Sequence, residues 1–335
     1  MRGSRWVACV AALLVAAPLL AADDAGRVVG FAFNGRMVAN LDQSVAFYSA
    51  IGFERDPTVS SAWSGDEAIR KLYGAPGIET RAAKMSINSN VSGGKFVVYL
   101  REIRGVERNN LSMHAAWEPG ATHFGIVVPD AHALWARLQQ AGLLRARSWG
   151  EALVSPPGVT IGQMAYVTDP DGIDVEIIDQ SPAIPPGINH VGMIVLDSDK
   201  ARAFYEKLFG GVWQAKDAPW MQGDFFDSAV GGHGNILRFF NLAFPEAYAP
   251  SSRLNLELVE FQNRKKPLLH RNVTDIGAAY FGFEVKNLDA FLQRALAAGA
   301  TPVGDKGVVT MSGGTREIML RDPDTGAFVL LFESA

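Results

Sequence analysis

Asp169-Pro170-Asp171-Gly172-Ile173-Asp174-Val175-Glu176-Ile177-Ile178 leads, past Pro185-Pro186-Gly187, into Ile188-Asn189-His190-Val191-Gly192-Met193-Ile194-Val195 and an amphipathic run ending in Phe204-Tyr205. It reads as two strands flanking a boundary, each with one good metal-ligand type among apolar neighbours: Glu176 and His190. Working outward, its pieces recur. Phe47-Tyr48 and Phe204-Tyr205 stand 157 residues apart, as do His123-Phe124-Gly125 and Tyr280-Phe281-Gly282; Asp169-Pro170-Asp171 and Asp322-Pro323-Asp324 are offset by 153. Matching offsets over three separate motifs make the chain a tandem duplication.

Each half holds two strand-helix-strands units, giving four modules. In the first half the patterning predicts strands at 28–38, 95–103, 123–128, 163–168 and 174–178, with helices at 41–51, 66–72 and 131–141. The second half predicts strands at 188–195, 254–261, 279–285, 308–311, 316–321 and 327–332, with helices at 199–208 and 288–298. The stretches from 55 to 90 and from 209 to 253 read as loop-rich.

A formal charge of −4 and no dense basic run give no reason to expect a nucleic-acid partner; Arg264-Lys265-Lys266 reads as a solvated loop. Arg2 and Arg5, an apolar run from Trp6 to Leu20, then Ala21-Ala22-Asp23 form the basic-apolar-small order of a secretory signal. Fifteen apolar residues are short for a membrane span of about twenty. We therefore expect a signal peptide at 1–22 and a periplasmic or secreted protein, an uncleaved anchor being the alternative. The only cysteine, Cys9, lies inside that segment. The remainder would then form no disulfide, which excludes thiol catalysis and cysteine-bound zinc.

Four such modules, with an Asp-x-x-x-x-Phe-Tyr helix after the first strand and Asp-Pro-Asp-Gly before the last, resemble the vicinal oxygen chelate superfamily of glyoxalase I, extradiol dioxygenases and bleomycin-resistance proteins. The resemblance implies an α+β fold: four βαβββ modules paired into two curled eight-stranded sheets with helices outside. It divides the chain into a first domain at 28–181 (modules 28–104 and 121–181) and a second at 187–335 (modules 187–262 and 278–335).

In that family one residue on the first and one on the fourth strand of each paired module hold a metal. Carried over by the internal repeat, these positions are Phe33 and Tyr99 in module one, and His123 and Glu176 in module two. They are His190 and Glu257 in module three, and Tyr280 and Leu330 in module four. Modules two and three keep all the credible ligands. Pairing them gives one His2Glu2 site and one apolar remnant, whereas closing each half on itself gives two half-built sites. The crossed pairing is therefore expected, as in fused glyoxalase I proteins. Two imidazoles and two carboxylates make a borderline site for one divalent ion: Ni, Zn, Co, Mn or Fe(II). Gly125 and Gly192, two residues beyond the histidines on the same strand face, are expected to leave room for a ligand.

Each choice has a plainer reading. A lone His in a strand is commonly a hydrogen-bonded structural residue, a lone Glu commonly faces solvent, and a one-residue register error would swap Glu257 for Glu260. His114, His132, His233 and His270 read as loop or surface residues. The 220–226 loop and the Gly231–Gly234 turn either cover the cleft or simply pack.

Three functions stay open. The first is an exported lyase or isomerase of the glyoxalase kind, acting on a small substrate with vicinal oxygens through a metal-bound enediolate, with Glu176 as base and Glu257 the second catalytic carboxylate. The second is an extradiol-type Fe(II) dioxygenase with His123, His190 and Glu176 as its triad. The third is a non-enzymatic protein that binds a small molecule or metal. The expected partner is a small-molecule substrate, without nucleic acid or stable membrane insertion. A monomer is plausible because the fused halves replace a dimer.

Overall fold

The structure is a computed structural model that describes residues 26–90, 93–150, 163–179, 185–244, 254–264, 271–304 and 307–335. The expected signal peptide with Cys9, and also His270 and Lys265-Lys266, lie outside the described residues. No helix among the described residues is long and apolar enough to cross a membrane.

Module one contains β1 (Arg27–Val38), α1 (Leu41–Ala50), β2 (Glu54–Arg55), α2 (Glu67–Tyr73), β3 (Glu79–Asn88) and β4 (Lys95–Arg104). Module two contains β5 (Thr122–Val128), α3 (Ala131–Gln140), β6 (Met164–Thr168) and β7 (Asp174–Asp179). Module three runs through β8 (Gly187–Val195), α4 (Ser198–Phe209), β9 (Val212–Trp213), β10 (Met221–Gln222), α5 (Asp224–Val230), β11 (Ile236–Ala243) and β12 (Asn255–Phe261). Module four has β13 (Ala279–Lys286), α6 (Leu288–Ala297), β14 (Thr301–Pro302), β15 (Val309–Thr310), β16 (Arg316–Arg321) and β17 (Phe328–Glu333).

The strands β3 and β11 occupy stretches that read as loops. Glu79–Asn88 spreads Arg81, Lys84 and small Ala82-Ala83 over both faces, so its alternation is weak, yet Ala83 and Met85 are fully buried against the core.

The crossed pairing holds. β1 runs antiparallel to β13 at the centre of a nine-stranded sheet built from modules one and four, and β5 runs antiparallel to β8 at the centre of an eight-stranded sheet built from modules two and three. Helices α1, α3, α4 and α6 bury Leu41, Leu134, Phe204 and Phe291 in one core cluster shared by both sheets. α2 packs against β15 and β16 of the first sheet, and α5 against β6 and β10 of the second.

The repeated Asp-Pro-Asp motifs tie one sheet to the other. Asp169 Oδ1 accepts the N–H groups of Asp171 and Ile173, closing its own turn. Its Oδ2 accepts bonds from the Tyr48 hydroxyl (2.9 Å) and Arg36 Nη1 (3.2 Å), both in module one. Asp171 accepts the Ala39 N–H and the Ser44 hydroxyl just ahead of and within α1. The second half repeats the plan: Asp324 accepts the Leu196 and Asp197 N–H groups before α4, and Asp322 faces the Tyr205 hydroxyl at 3.4 Å. The Phe-Tyr and Asp-Pro-Asp motifs are thus two ends of one buried contact in each half. Burial of the pair of carboxylates raises Asp171 to about 7, with Asp169 adding to the shift.

Candidate metal centre

The site forms on the concave face of the second sheet from its four central strands. Alternation along each strand sends His123 and Gly125, Glu176, His190 and Gly192, and Glu257 to that face. Registration then aligns them. Gly125 lies opposite His190 and beside Glu176; Gly192 lies opposite His123 and beside Glu257.

Both glycines have a use other than the expected one. A Cβ at Gly125 would lie 2.2 Å from His190 Cε1, and one at Gly192 would lie 2.1 Å from His123 Cε1. Each imidazole crosses the seam and lies over the glycine of the facing strand. The missing side chains make room for the histidines and not, as expected, for a ligand. The other sheet keeps the same device: Gly282 lies under Phe33 and Gly35 under Tyr280.

His123, Glu176 and His190 are each at most 6% exposed, and one donor atom from each lies within 4.8 Å of the others. His190 Nε2 is 3.1 Å from Glu176 Oε2 and 3.9 Å from Glu257 Oε2. His123 Nε2 is 3.0 Å from Glu257 Oε2. Burial alone would lower the His190 pKa, but Glu257 and Glu176 outweigh it and push it up to about 9. For Glu257, burial acts to raise the pKa, and the charge on His190 and the bond from His123 bring it below the usual carboxylate value. Tyr166, bonded to Glu176, is raised by burial and by the surrounding carboxylates.

These residues fit a divalent ion on three counts. Donors bound to one ion at about 2.0–2.2 Å stand roughly 3–4 Å from each other, which is the spacing found. His190 Nε2 is buried and, despite its closeness to Glu176, makes no well-directed hydrogen bond; it points at the space the carboxylates share. His190 Nδ1 lies 3.2 Å from Asn189 Oδ1, and with Nδ1 donating there, Nε2 is the nitrogen that would meet a metal, its proton being displaced on binding. His123, Glu176 and His190 thus form a cluster able to hold a metal ion, and Glu257 stands within reach as a fourth ligand.

The register question is settled by Glu260, which lies on the outer face. There it accepts the Ser198 N–H and hydroxyl at the start of α4 and pairs with Arg238. Glu102 does the same in module one, accepting the Leu41 N–H and pairing with Arg81. The apolar counterparts of the site, Phe33, Tyr99 and Tyr280, pack edge-on at 4.9 and 6.0 Å, and Leu330 lies in the same cluster as Tyr73 and Met319. His132 and His233 are outside the site. His114 lies in a loop, as expected, but is buried there, with Nε2 4.0 Å from Asp174 Oδ2.

A cavity of about 420 Å³ opens over the four candidate ligands. Met221, Phe225, Phe226 and Val230 line it, so the 220–226 loop and α5 do cover the cleft. Module two holds this cover in place: Trp149 N–H donates to Ser228 O, and the Ser148 hydroxyl to Ala229 O.

Residues 30–177 and 189–318 each match a family model described as Glyoxalase/Bleomycin resistance protein/Dioxygenase superfamily. A probable chloroplastic lactoylglutathione lyase of Arabidopsis thaliana is 32% identical over 117 residues, covering 34% of this chain and 29% of that protein; the chain thus spans under a third of that relative's length. Among solved structures, a glyoxalase family protein from Bacillus cereus aligns at 21% identity over 43% of this chain and 91% of its own, with a TM-score of 0.36. A variant of 4-hydroxymandelate synthase from Streptomyces coelicolor aligns at 12% identity over 92% of this chain and 93% of its own, with a TM-score of 0.31.

Proposed function

Because this chain belongs to the Glyoxalase/Bleomycin resistance protein/Dioxygenase superfamily, most of whose members are metal-dependent enzymes, we propose that it is an exported, monomeric lyase or isomerase of the glyoxalase kind. Its substrate is a small molecule with two neighbouring oxygens. The observation that carries the reading is the gathering of His123, Glu176, His190 and Glu257 on one cavity floor. A bound divalent ion would supply Lewis acidity to two neighbouring substrate oxygens.

The chain's own residues do the rest. Glu176, which would be released from or only loosely held by the ion, is the base. It takes a proton from one oxygen-bearing carbon and returns it to the other, while the hydroxyl proton passes between the two oxygens so that hydroxyl and carbonyl exchange places. The Tyr166 hydroxyl orients that carboxylate. Glu257, held by His123 and Asn241, remains ionised as a ligand and second carboxylate. Met221, Phe225 and Phe226 keep bulk water off the cavity floor.

The decisive measurement is the metal content of the purified protein beside His123→Ala and Glu176→Ala. Loss of metal in both supports the site; full stoichiometric metal in both overturns it. A second reading follows from the tighter grouping of His123, Glu176 and His190, a two-histidine, one-carboxylate set suited to Fe(II) oxygenases. Anaerobic iron loading followed by catechol and air separates the two: oxygen uptake selects the second.

A further inference from the structure

The cavity wall carries information about the substrate that the four candidate ligands do not. Above them rise Met164, Ile178, Phe225, Phe239, Val259 and Phe261, all apolar. The remaining polar groups on the wall are amides and hydroxyls, among them Gln214, Asn241, Asn255 and Thr122. Its carboxylates, Glu176, Glu257 and Asp174, outnumber the imidazole of His190, which carries charge before a metal binds. No lysine or arginine lines the cavity among the described residues.

Three arginines are committed elsewhere, while Arg271 donates Nη1 to the Gly120 carbonyl and keeps Nε and Nη2 without a partner among the described residues. Arg147 Nε bonds Asp174 Oδ1 at 2.7 Å, and its other nitrogens donate to the His114 and Gly172 carbonyls. Arg264 stacks on Trp117 at 4.2 Å and donates to Asn235 and the His233 carbonyl. Arg238 lies on the outer face of β11, between Glu260 and Asp199.

A ligand carboxylate in this cavity would exchange water for the amide and hydroxyl donors of the wall, with no lysine or arginine among the described lining residues to pair it, a cost that a hydrocarbon group does not meet. Two candidate-ligand carboxylates already balance a divalent ion, so the ion offers little net charge to a second anion. Phe239 is a large apolar side chain left 39% exposed on the cavity wall, where it offers a ring face to a substituent.

We infer that the substrate is an uncharged compound in which two vicinal oxygens are attached to an aryl or alkyl group, and that carboxylate-bearing adducts such as glutathione conjugates are excluded. The inference rests on the metal-centre reading for the seat of the two oxygens, but the selectivity against charge belongs to the wall alone.

4-Ethylcatechol and 3,4-dihydroxyphenylacetate test it. They present the same two oxygens and differ by a methyl group against a carboxylate. Their binding is measured by calorimetry near neutral pH on the zinc-loaded protein and on the chelator-stripped protein. We expect 4-ethylcatechol to bind the zinc form at least tenfold more tightly, and Phe239→Lys to reduce that ratio to threefold or less by supplying the missing cation. Equal or tighter binding of the carboxylate by the wild-type protein overturns the inference, as does failure of both probes to bind either form. If zinc does not bind, or changes neither probe, the metal reading fails by itself. The ratio on the stripped protein then decides: a preserved preference for 4-ethylcatechol upholds the uncharged substrate class, and its loss refutes it.

Discussion

Gly125→Ala adds one methyl group, replaces none of the four candidate ligands, and should abolish high-affinity metal binding. The added Cβ would stand 2.2 Å from His190 Cε1, and ordinary contact begins at 3.4 Å, so the ring has to retreat by more than 1 Å. Ligand distances tolerate about 0.2 Å. A displaced His190 is therefore lost as a ligand, and zinc affinity should fall at least about 100-fold, or roughly 2.8 kcal/mol. Overpacking should also lower stability by about 1–3 kcal/mol, so a control is needed. Gly282→Ala supplies it, because its Cβ would stand 2.7 Å from Phe33 Cζ in the apolar sheet. It should lose comparable stability and keep its zinc. Chelator-competition titration gives the affinity and urea unfolding the stability of each protein. A folded Gly125→Ala variant that binds zinc within threefold of wild type would refute the reasoning.

Glu257→Gln and Glu260→Gln should separate two nearby carboxylates: the first weakens zinc at least about tenfold, while the second leaves affinity intact and lowers stability by ~1 kcal/mol through Ser198 and Arg238. Arg36→Met installs the residue found at the matching position, Met193, and strands the fully buried Asp169. Urea unfolding at pH 8 should show a loss of about 3 kcal/mol, and a loss below 1 would show that Tyr48 and the turn N–H groups suffice. Burial raises Glu317 to about 7 against a weaker pull from Arg101. The folded state then holds a proton that the unfolded state has released, so this group makes stability fall as pH rises from about 4.5 to 7. Glu317→Gln should flatten that fall, stabilising by ~1.5 kcal/mol at pH 8 after allowance for partial exposure and leaving pH 4 unchanged; equal effects at both pH values would contradict it.

The crossed architecture was legible because duplication lets one half calibrate the other. His123 and His190 are candidate ligands at positions where Tyr280 and Phe33 are not, and only one pairing collects them. Glu257 was legible to within a register step; Ser198 and Arg238 on the outer face resolve it, and such partners sit too far off in sequence to be read. The glycines were misread because strand alternation gives the face of a residue but not what crosses to it from the neighbouring strand. β3 was missed because its buried Thr80 and Ala83 are small and stand among Arg81 and Lys84, and β11 because its apolar residues, Leu237, Phe239, Phe240 and Leu242, fall on both faces and break strict alternation. The sheet-to-sheet contact of Tyr48 with Asp169 was visible as two motifs of similar offset, yet nothing local in the sequence joins them.

The interleaved order of the modules also sets a schedule for assembly. The candidate metal cleft needs only neighbouring modules: His123 meets Glu257 across 134 residues. The apolar sheet needs the outer pair, and Asn34 meets Tyr280 across 246. A chain emerging vectorially can complete the inner sheet while β1 and β4 still have an open edge awaiting β13. Loop closure and exposed strand edges then place the kinetic hazard in the sheet without candidate ligands. Its dense aromatic packing around Phe33 and Phe31 is what secures the last closure, so damage there should show up as aggregation during folding before it shows up as lost chemistry.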